Sequence, residues 1–484
     1  MPDRRSPRRV AGRGSSRSRA KRRQGGREQA GPRLRSLNRV KEEIVAAVKR
    51  SPADDTEILW LESRRCRTGL MVRDLDSYRR RSRQVMVRVR DGRRGGAHRT
   101  GGGQAGELDG SVRLAMAASR VSAPESLPSL PDGNEPPVPS VFDQDPALVR
   151  LHADAARHLL MAALGDDEAA IVEWTVGQAA VANSRGLVRG QRATTIQVEV
   201  RSGDGPGAGF VRHAARSVDQ LDLDRLVETA RERRAPEGDA APPPDGASVV
   251  LAPEATLDLL ELLNLYAFSS RSIVEGQSFL LQHTGVQVFD RGLHLVDDGS
   301  CERGLPFPFD LEGRTKTAVE LVSAGVPRTP ALDTATAARV GLEPTCHCTG
   351  GEEAYPLNLF LGEGERGDRA LFEIADGGVW IGRLDDVECF DPGRMRVRAR
   401  ARGVRRIRDG RLGEPVVDLV WEDSLLRVLS NLLAIGANCY SRTSRDGFLG
   451  GTTAPAVAVS DVDGLAPARG RRSGRGRDGG AEGT

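Results

Sequence analysis

The densest group of chemistry-bearing side chains in this 484-residue sequence is Cys346-His347-Cys348. In an extended segment both thiols face one way and the imidazole the other. One face then offers two soft ligands, short of the four that a closed zinc site needs. Cys301, Cys389 or Cys439 could complete the set only through the fold. The plainer reading is a pair of small buried thiols. Seven histidines are present, and none is followed by Glu, so neither H-E-x-x-H nor H-E-x-x-x-H occurs. His152 and His158 stand six apart, about 240° around a helix, and therefore point to different sides. No G-x-S-x-G marks a serine nucleophile, and no Cys/His signature marks a thiol one. The acidic pairs Asp297-Asp298 and Asp385-Asp386 sit at turn signals and are expected to be solvated turn carboxylates. The stretch GGAHRTGGGQAG (95–106) lacks both a Gly-Lys-Ser/Thr ending and a strand-then-helix frame, so it is not read as a phosphate loop. From the residues alone, the chain is a soluble two-domain protein with no visible active site.

The elements that position these residues follow from apolar periodicity. Residues 38–49 place Val40, Ile44, Val45 and Val48 at helical spacing. TEILWL (56–61), GLMVRD (69–74) and QVMVRV (84–89) are expected strands, with 91–110 as a loop and 111–118 as a helix. A proline-rich connector covers 124–140. A single helix is expected over 147–164, strands over 171–183 and 194–202 around the turn Asn183-Ser184-Arg185-Gly186, and a helix over 221–233. PEGDAAPPPDGA (236–247) is the clearest linker, stiffened by three prolines. Beyond it come a strand at 248–251 and an apolar helix at 255–267, opened by Pro253 where a missing N–H costs nothing. Short apolar runs broken by Gly, Pro and Asp fill 286–420, the pattern of antiparallel strands. A helix over 423–434, stopped by Gly436, and a strand at 455–459 close the unit. The expected fold class is α+β: a mixed α/β N-terminal domain at 38–235, then an antiparallel β-rich C-terminal domain with a few helices at 248–465.

Composition sets outer limits. Residues 1–37 carry thirteen Arg or Lys against two acids, and 466–484 add about three further net positive charges. The body between them is therefore acidic, which argues against a general nucleic-acid binder. The basic ends are expected to be disordered tails. No stretch approaches the ~20 apolar residues of a membrane helix. The first residues lack the apolar core of a signal peptide, so a cytoplasmic location is expected.

From the linker onward the sequence resembles the TldD/PmbA family. The likeness rests on SVVLAPEAT (248–256), F-S-S-R-S and G-Q-S-F-L within 268–280, V-D-D-G (296–299) and Pro308-Phe309-Asp310 with Glu312-Gly313. It continues through TATAARVGL (334–342), Pro356-Leu357-Asn358-Leu359 and the D-S-L-L-R-V-L-S-N-L-L-A-I-G run (423–436). In the N-terminal half, Asn183-Ser184-Arg185-Gly186 resembles the family's N-S-x-G turn. The resemblance implies a subunit of a heterodimeric zinc protease that acts on peptides and unfolded segments; its members are also called modulators of DNA gyrase. One subunit type, TldD, carries H-E-x-x-x-H just after the P-E-A-T anchor, and the other, TldE or PmbA, lacks it. Here those positions hold Glu261, Leu262 and Tyr266. A leucine cannot take a proton and a phenol is a poor zinc ligand. The resemblance thus implies the non-catalytic type: no catalytic residue and no cofactor in this chain, with zinc in a TldD-like partner. By the same resemblance Asn183, Asp310, Glu312, His347 and Asn358 are candidate substrate-cavity residues, against the plainer reading that the loop residues Asn183, Asp310 and Asn358 stabilise turns. The family commonly shows T-G-H where this chain has Cys346-His347-Cys348. Two other readings stay open: a nucleic-acid- or gyrase-associated module working through the basic tails, and a stand-alone metallopeptidase using the Cys/His cluster.

Overall fold

Alternating apolar residues build a six-stranded sheet whose two faces meet different halves of the chain. The computed structural model describes residues 34–71, 77–102, 105–125, 128–235, 238, 240–350, 353–445 and 447–468. Nearly all of the two basic tails, and residues 72–74 of GLMVRD, lie outside the described residues. The sheet comprises β1 (Asp55–Leu70), β2 (Tyr78–Asp91), β3 (Arg94–Thr100), β4 (Glu168–Asn183), β5 (Val188–Ser202) and β6 (Gly209–Ala215). Its order is β3-β2-β1-β4-β5-β6, antiparallel throughout. Along β1, Ile58 and Trp60 point to one face and Leu59 to the other, as the two-residue period requires. The first face packs on α1 (Leu37–Arg50) and α2 (Ala105–Val121) through Val40, Ile44, Leu108 and Val112. Further along it, Trp174 and Ile196 pack with α3 (Pro146–Arg150), α4 (Ala153–Ala163) and α5 (Leu223–Glu232). The opposite face holds Leu59, Ala179 and Val181 against Phe307, Phe309, Leu311 and Phe448 of the C-terminal half.

Two expectations fail here for local reasons. Residues 94–100 form a strand, not a loop, because β2 offers a full antiparallel register to GGAHRT. Gly96 serves packing: a Cβ there would lie 2.1 Å from the Ala115 carbonyl oxygen, so only glycine lets α2 sit this close. The single helix expected over 147–164 is broken at Leu151 and His152, where the His152 Nδ1 accepts the Ala155 N–H at 3.2 Å and caps α4.

The C-terminal half begins with β7 (Ala247–Leu251), α6 (Pro253–Tyr266), α7 (Ser270–Val274) and α8 (Leu280–His283). It continues through β8 (Leu295–Asp297), β9 (Val319–Ser323), β10 (Val326–Pro327), α9 (Thr334–Val340), β11 (Asn358–Leu361), α10 (Asp368–Ile374) and β12 (Val379–Ile381). Then come β13 (Arg383–Asp391), β14 (Arg396–Arg402), β15 (Arg405–Arg408), β16 (Arg411–Pro415), β17 (Leu419–Ser424) and α11 (Leu425–Ser430). β18 (Leu432–Thr443), β19 (Gly451–Val462) and β20 (Leu465–Pro467) complete it. A ten-stranded sheet runs β10-β9-β8-β11-β19-β7-β12-β15-β16, with β18 on β19; a four-stranded sheet runs β13-β14-β17-β20. Pairing is antiparallel except for β11 with β19 and β7 with β12. The α+β class with a β-rich C-terminal half is thus observed.

The helix expected over 423–434 is cut short. α11 stops at Ser430, and Leu432 enters β18, paired with Val459 of β19. The apolar run has helical spacing, but a long partner strand captures its second half. Gly436, expected past a helix end, lies inside β18. Before β7, the described linker residues lie along the C-terminal half: Ala240 bridges to Val416, and Arg406 donates to the Ala241 and Pro242 carbonyls.

Candidate functional site

α6 is positioned by a nearly continuous apolar sequence. Leu257, Leu259, Leu260 and Leu263 are buried, and Pro253 occupies its first turn. Leu262 is 7% exposed, and Tyr266 packs its ring against the same core. Glu261 is half-exposed and has no hydrogen-bond or ion-pair partner among the described residues. The helix's buried acids are already committed. Glu254 meets Arg233 at 2.8 Å and accepts the Arg212 N–H at 3.1 Å; Asp258 meets Arg212 at 3.3 Å and Arg442 at 2.7 Å. Burial raises the Asp258 carboxyl above its ordinary value, against the pull of the two guanidinium groups. α6 therefore presents one free carboxylate and no imidazole, and its residues do not fit a zinc ion.

A second group lies in the loops between β8 and β11. The His347 Nε2 sits 2.9 Å from Asp297 Oδ2, and its Nδ1 sits 2.9 Å from Thr345 Oγ1. Both ring nitrogens are thus engaged, and no lone pair is left for a metal. Asp297 also accepts the Asn358 N–H at 2.6 Å and lies 3.9 Å from Lys316 Nζ. Burial works to raise its pKa, but Lys316 and His347 outweigh it and hold the carboxyl well below the usual range. Asn358 in turn accepts the Leu305 N–H at 2.9 Å and donates to the Asp298 and Cys301 carbonyls. The solvated reading of Asp297 is therefore wrong: it is fully buried, and only Asp298 is a turn carboxylate, accepting the Ser300 N–H at 2.9 Å. Asp385 is likewise paired, with Arg383 and Arg402 at 3.2 Å each.

Asp310 and Glu312 continue this network toward the first sheet. Asp310 accepts N–H groups from Glu312, Arg314 and Cys348 at 3.0, 3.0 and 3.1 Å. Burial and the Glu312 carboxylate nonetheless push it up to about 8. Glu312 accepts from Thr334 and lies 3.5 Å from Arg88, which also binds Glu57. Burial pushes Glu57 up to about 7 in spite of Arg88. Asn183 stands opposite Glu57 in the β1–β4 register. Its Oδ1 accepts the Arg185 and Leu187 N–H groups at 3.0 and 3.2 Å, and its amide donates to the Pro131 carbonyl at 2.8 Å. Asn183, Asp310 and Asn358 all secure turn or loop backbone.

The Cys346-His347-Cys348 segment is not a strand. Cys346 has a positive φ of 62°, so the alternation assumed for its thiols does not apply. Burial pushes the Cys346 thiol up to about 12 and raises Cys348 well above its ordinary value, so neither supplies a thiolate. Among the described residues, no three His, Cys, Asp or Glu side chains gather as a metal-holding group.

Residues 244–464 match the family model described as the PmbA/TldA metallopeptidase C-terminal domain. This segment, a little under half of the chain, is thus similar to the C-terminal domain of the PmbA/TldD family. A curated relative described as a metalloprotease, from Methanothermobacter thermautotrophicus, is 26% identical over 226 residues, 46% of this chain and 50% of the relative. An uncharacterized protein of Methanocaldococcus jannaschii is 30% identical over 110 residues, 22% of this chain and 26% of its own length. The chain thus spans half or less of these relatives. Among solved structures, TldE from Thermococcus kodakarensis superposes with a TM-score of 0.75 at 17% identity, over 89% of this chain and all (100%) of that one. A candidate DNA gyrase modulator from Thermotoga maritima gives 0.73 at 21% identity, with 89% and 100% covered. At such identities the likeness is one of fold.

Within residues 244–464, the structure joins Asp310, Glu312, His347 and Asn358 into one loop region and leaves Glu261, Leu262 and Tyr266 on α6, outside these hydrogen-bonded contacts. Sequence reading misplaced Asp297 as solvated and missed Lys316, Glu57 and Arg88. One signal was available: in a chain with 71 basic residues, Lys316 is the sole lysine beyond Lys49.

Proposed function

We propose that this chain is the non-catalytic, TldE-like subunit of a heterodimeric zinc metalloprotease. It pairs with a TldD-like chain whose H-E-x-x-x-H helix holds the metal, and together they degrade peptides or unfolded segments. The observation that carries this reading is the state of α6: Leu262 is buried and Tyr266 packs into the core, where a zinc hydrolase needs a proton acceptor and an imidazole. A helix so committed to packing scaffolds a partner and cannot activate water. Its likeness to the PmbA/TldD C-terminal domain and the fold shared with TldE support the reading. The proposed location is the cytoplasm; among the described residues no helix is long and apolar enough to cross a membrane.

The test is reconstitution. The purified chain alone should hold no stoichiometric zinc by mass spectrometry and should cleave no unfolded casein. Mixed with a TldD-like chain from the same genome, it should co-elute with that chain and raise cleavage. Chelator-sensitive cleavage by the isolated chain would refute the proposal.

A further inference from the structure

A cavity of about 610 Å³ opens between α5, α10, the β15–β16 hairpin and β18; of the residues weighed as metal or substrate candidates, only Cys439 lines it. Its volume falls within the range of small-ligand pockets. Arg405 and Arg411 give it positive charge, and Arg233, though paired with Glu254, adds its guanidinium face. Arg405 is 5% exposed and donates to the Gly413, Leu412, Arg233 and Arg234 carbonyls at 2.9–3.3 Å, with no carboxylate partner among the described residues. Burial draws it down to about 10, so it stays charged at neutral pH. Arg233 lies over the Trp380 and Tyr440 rings at 5.3 and 5.6 Å and uses Nη1 alone for its hydrogen bonds, to Phe210 and Glu254. Arg411 is exposed on the rim with no ion-pair partner among the described residues. Arg225 and Arg369 also line the cavity but are held by Glu228 and Glu373.

A buried cation bonded only to carbonyls is costly, and an anion at the cavity offsets that cost. The other walls restrict which anion. Phe372 stands edge-on to Trp380 at 5.5 Å and forms an apolar shelf. Glu232 and Asp368 line the same space. A phosphate dianion meets repulsion from both, whereas a peptide brings one carboxylate together with N–H groups that those acids accept.

We propose that this cavity binds a peptide carboxylate, with Arg411 and Arg405 facing the anion and Phe372 and Trp380 receiving the apolar side chain beside it. The site belongs to this chain alone and holds with or without a zinc-bearing partner.

Calorimetric titration of the full chain tests it with three acetylated tripeptides: one ending in leucine with a free carboxylate, its C-terminal amide, and an amide carrying glutamate beside leucine. Inorganic phosphate is the fourth probe. The free acid should bind about tenfold more tightly than its amide, the worth of a charge-assisted hydrogen bond. The glutamate peptide decides whether a side-chain carboxylate serves as well as a terminal one; either supports the site over the neutral amide. Arg411→Ala should remove the preference for acid over amide while leaving the melting temperature unchanged, and Phe372→Ala should weaken acid and amide alike. Equal affinity for acid and amide, tighter binding of phosphate, absence of binding, or an Arg411→Ala chain that keeps the preference would each overturn the proposal.

Discussion

His213 shows how burial alone sets an acid response. Its Nδ1 accepts the Ser441 N–H at 3.1 Å, and its ring meets Tyr440 edge-on at 5.6 Å. Burial pulls its pKa down from 6.5 to about 4. A lowered value means the unfolded chain binds the extra proton, so the contribution is present above about 6.5 and is lost as pH falls through about 4. The wild type should therefore melt at progressively lower temperature over that window, and His213→Gln should flatten the slope. Glu57 and Asp310 act in the opposite sense. Their values are raised from 4.5 and 3.8 to about 7 and about 8, so their contribution is full in acid and is lost as pH rises through those values. In Glu57→Gln, urea midpoints should decline less between pH 5 and pH 8 than in the wild type. A steeper decline would contradict the buried placement of Glu57. At this scale the sequence was only partly legible. The motif residues were visible as types, but the pairing of His347 with Asp297 joins residues 50 apart, and no local pattern encodes it.

Elements were legible where local and tertiary preferences agree. α1 and α6 carry their apolar positions at helical spacing and lie within a few residues of expectation. β18 was not legible, because LLAIG has helical composition and becomes a strand only through β19. β3 was hidden for a related reason: its glycines suggest a loop until α2 is seen resting on Gly96. Two substitutions probe such contacts. Leu262→Ala should cost about 2–4 kcal/mol in denaturant unfolding, the usual cost of an emptied core leucine, and should not alter the metal content of the chain. Gly177→Ala in β4 should cost about 1–3 kcal/mol, because the new Cβ would fall 2.3 Å from the Phe448 ring, which must be displaced.

For the whole molecule, the telling residue is Arg216, which is 1% exposed. Its guanidinium donates to the Thr194 carbonyl of β5 at 3.3 Å, to Phe448 at 2.8 Å, to Leu305 at 2.7 Å and to Pro306. One side chain thus ties the first sheet to two loops of the C-terminal half. Burial without a carboxylate draws it down to about 9. Arg216→Ala should strand several buried carbonyls and cost about 3 kcal/mol or more in urea unfolding followed by tryptophan fluorescence. Arg216→Lys should recover only part of this, since an ammonium cannot reach all four acceptors.

The placement of β19 between β11 and β7 has a consequence for biosynthesis. While a ribosome is still short of Gly451, the strands on either side have no common neighbour, and two half-sheets must wait with open edges inside the growing polypeptide. Such edges invite wrong pairings, so translation of this chain should depend on chaperone shielding until Gly451–Val462 clears the exit tunnel. Nascent chains arrested before and after that segment should differ sharply in protease resistance.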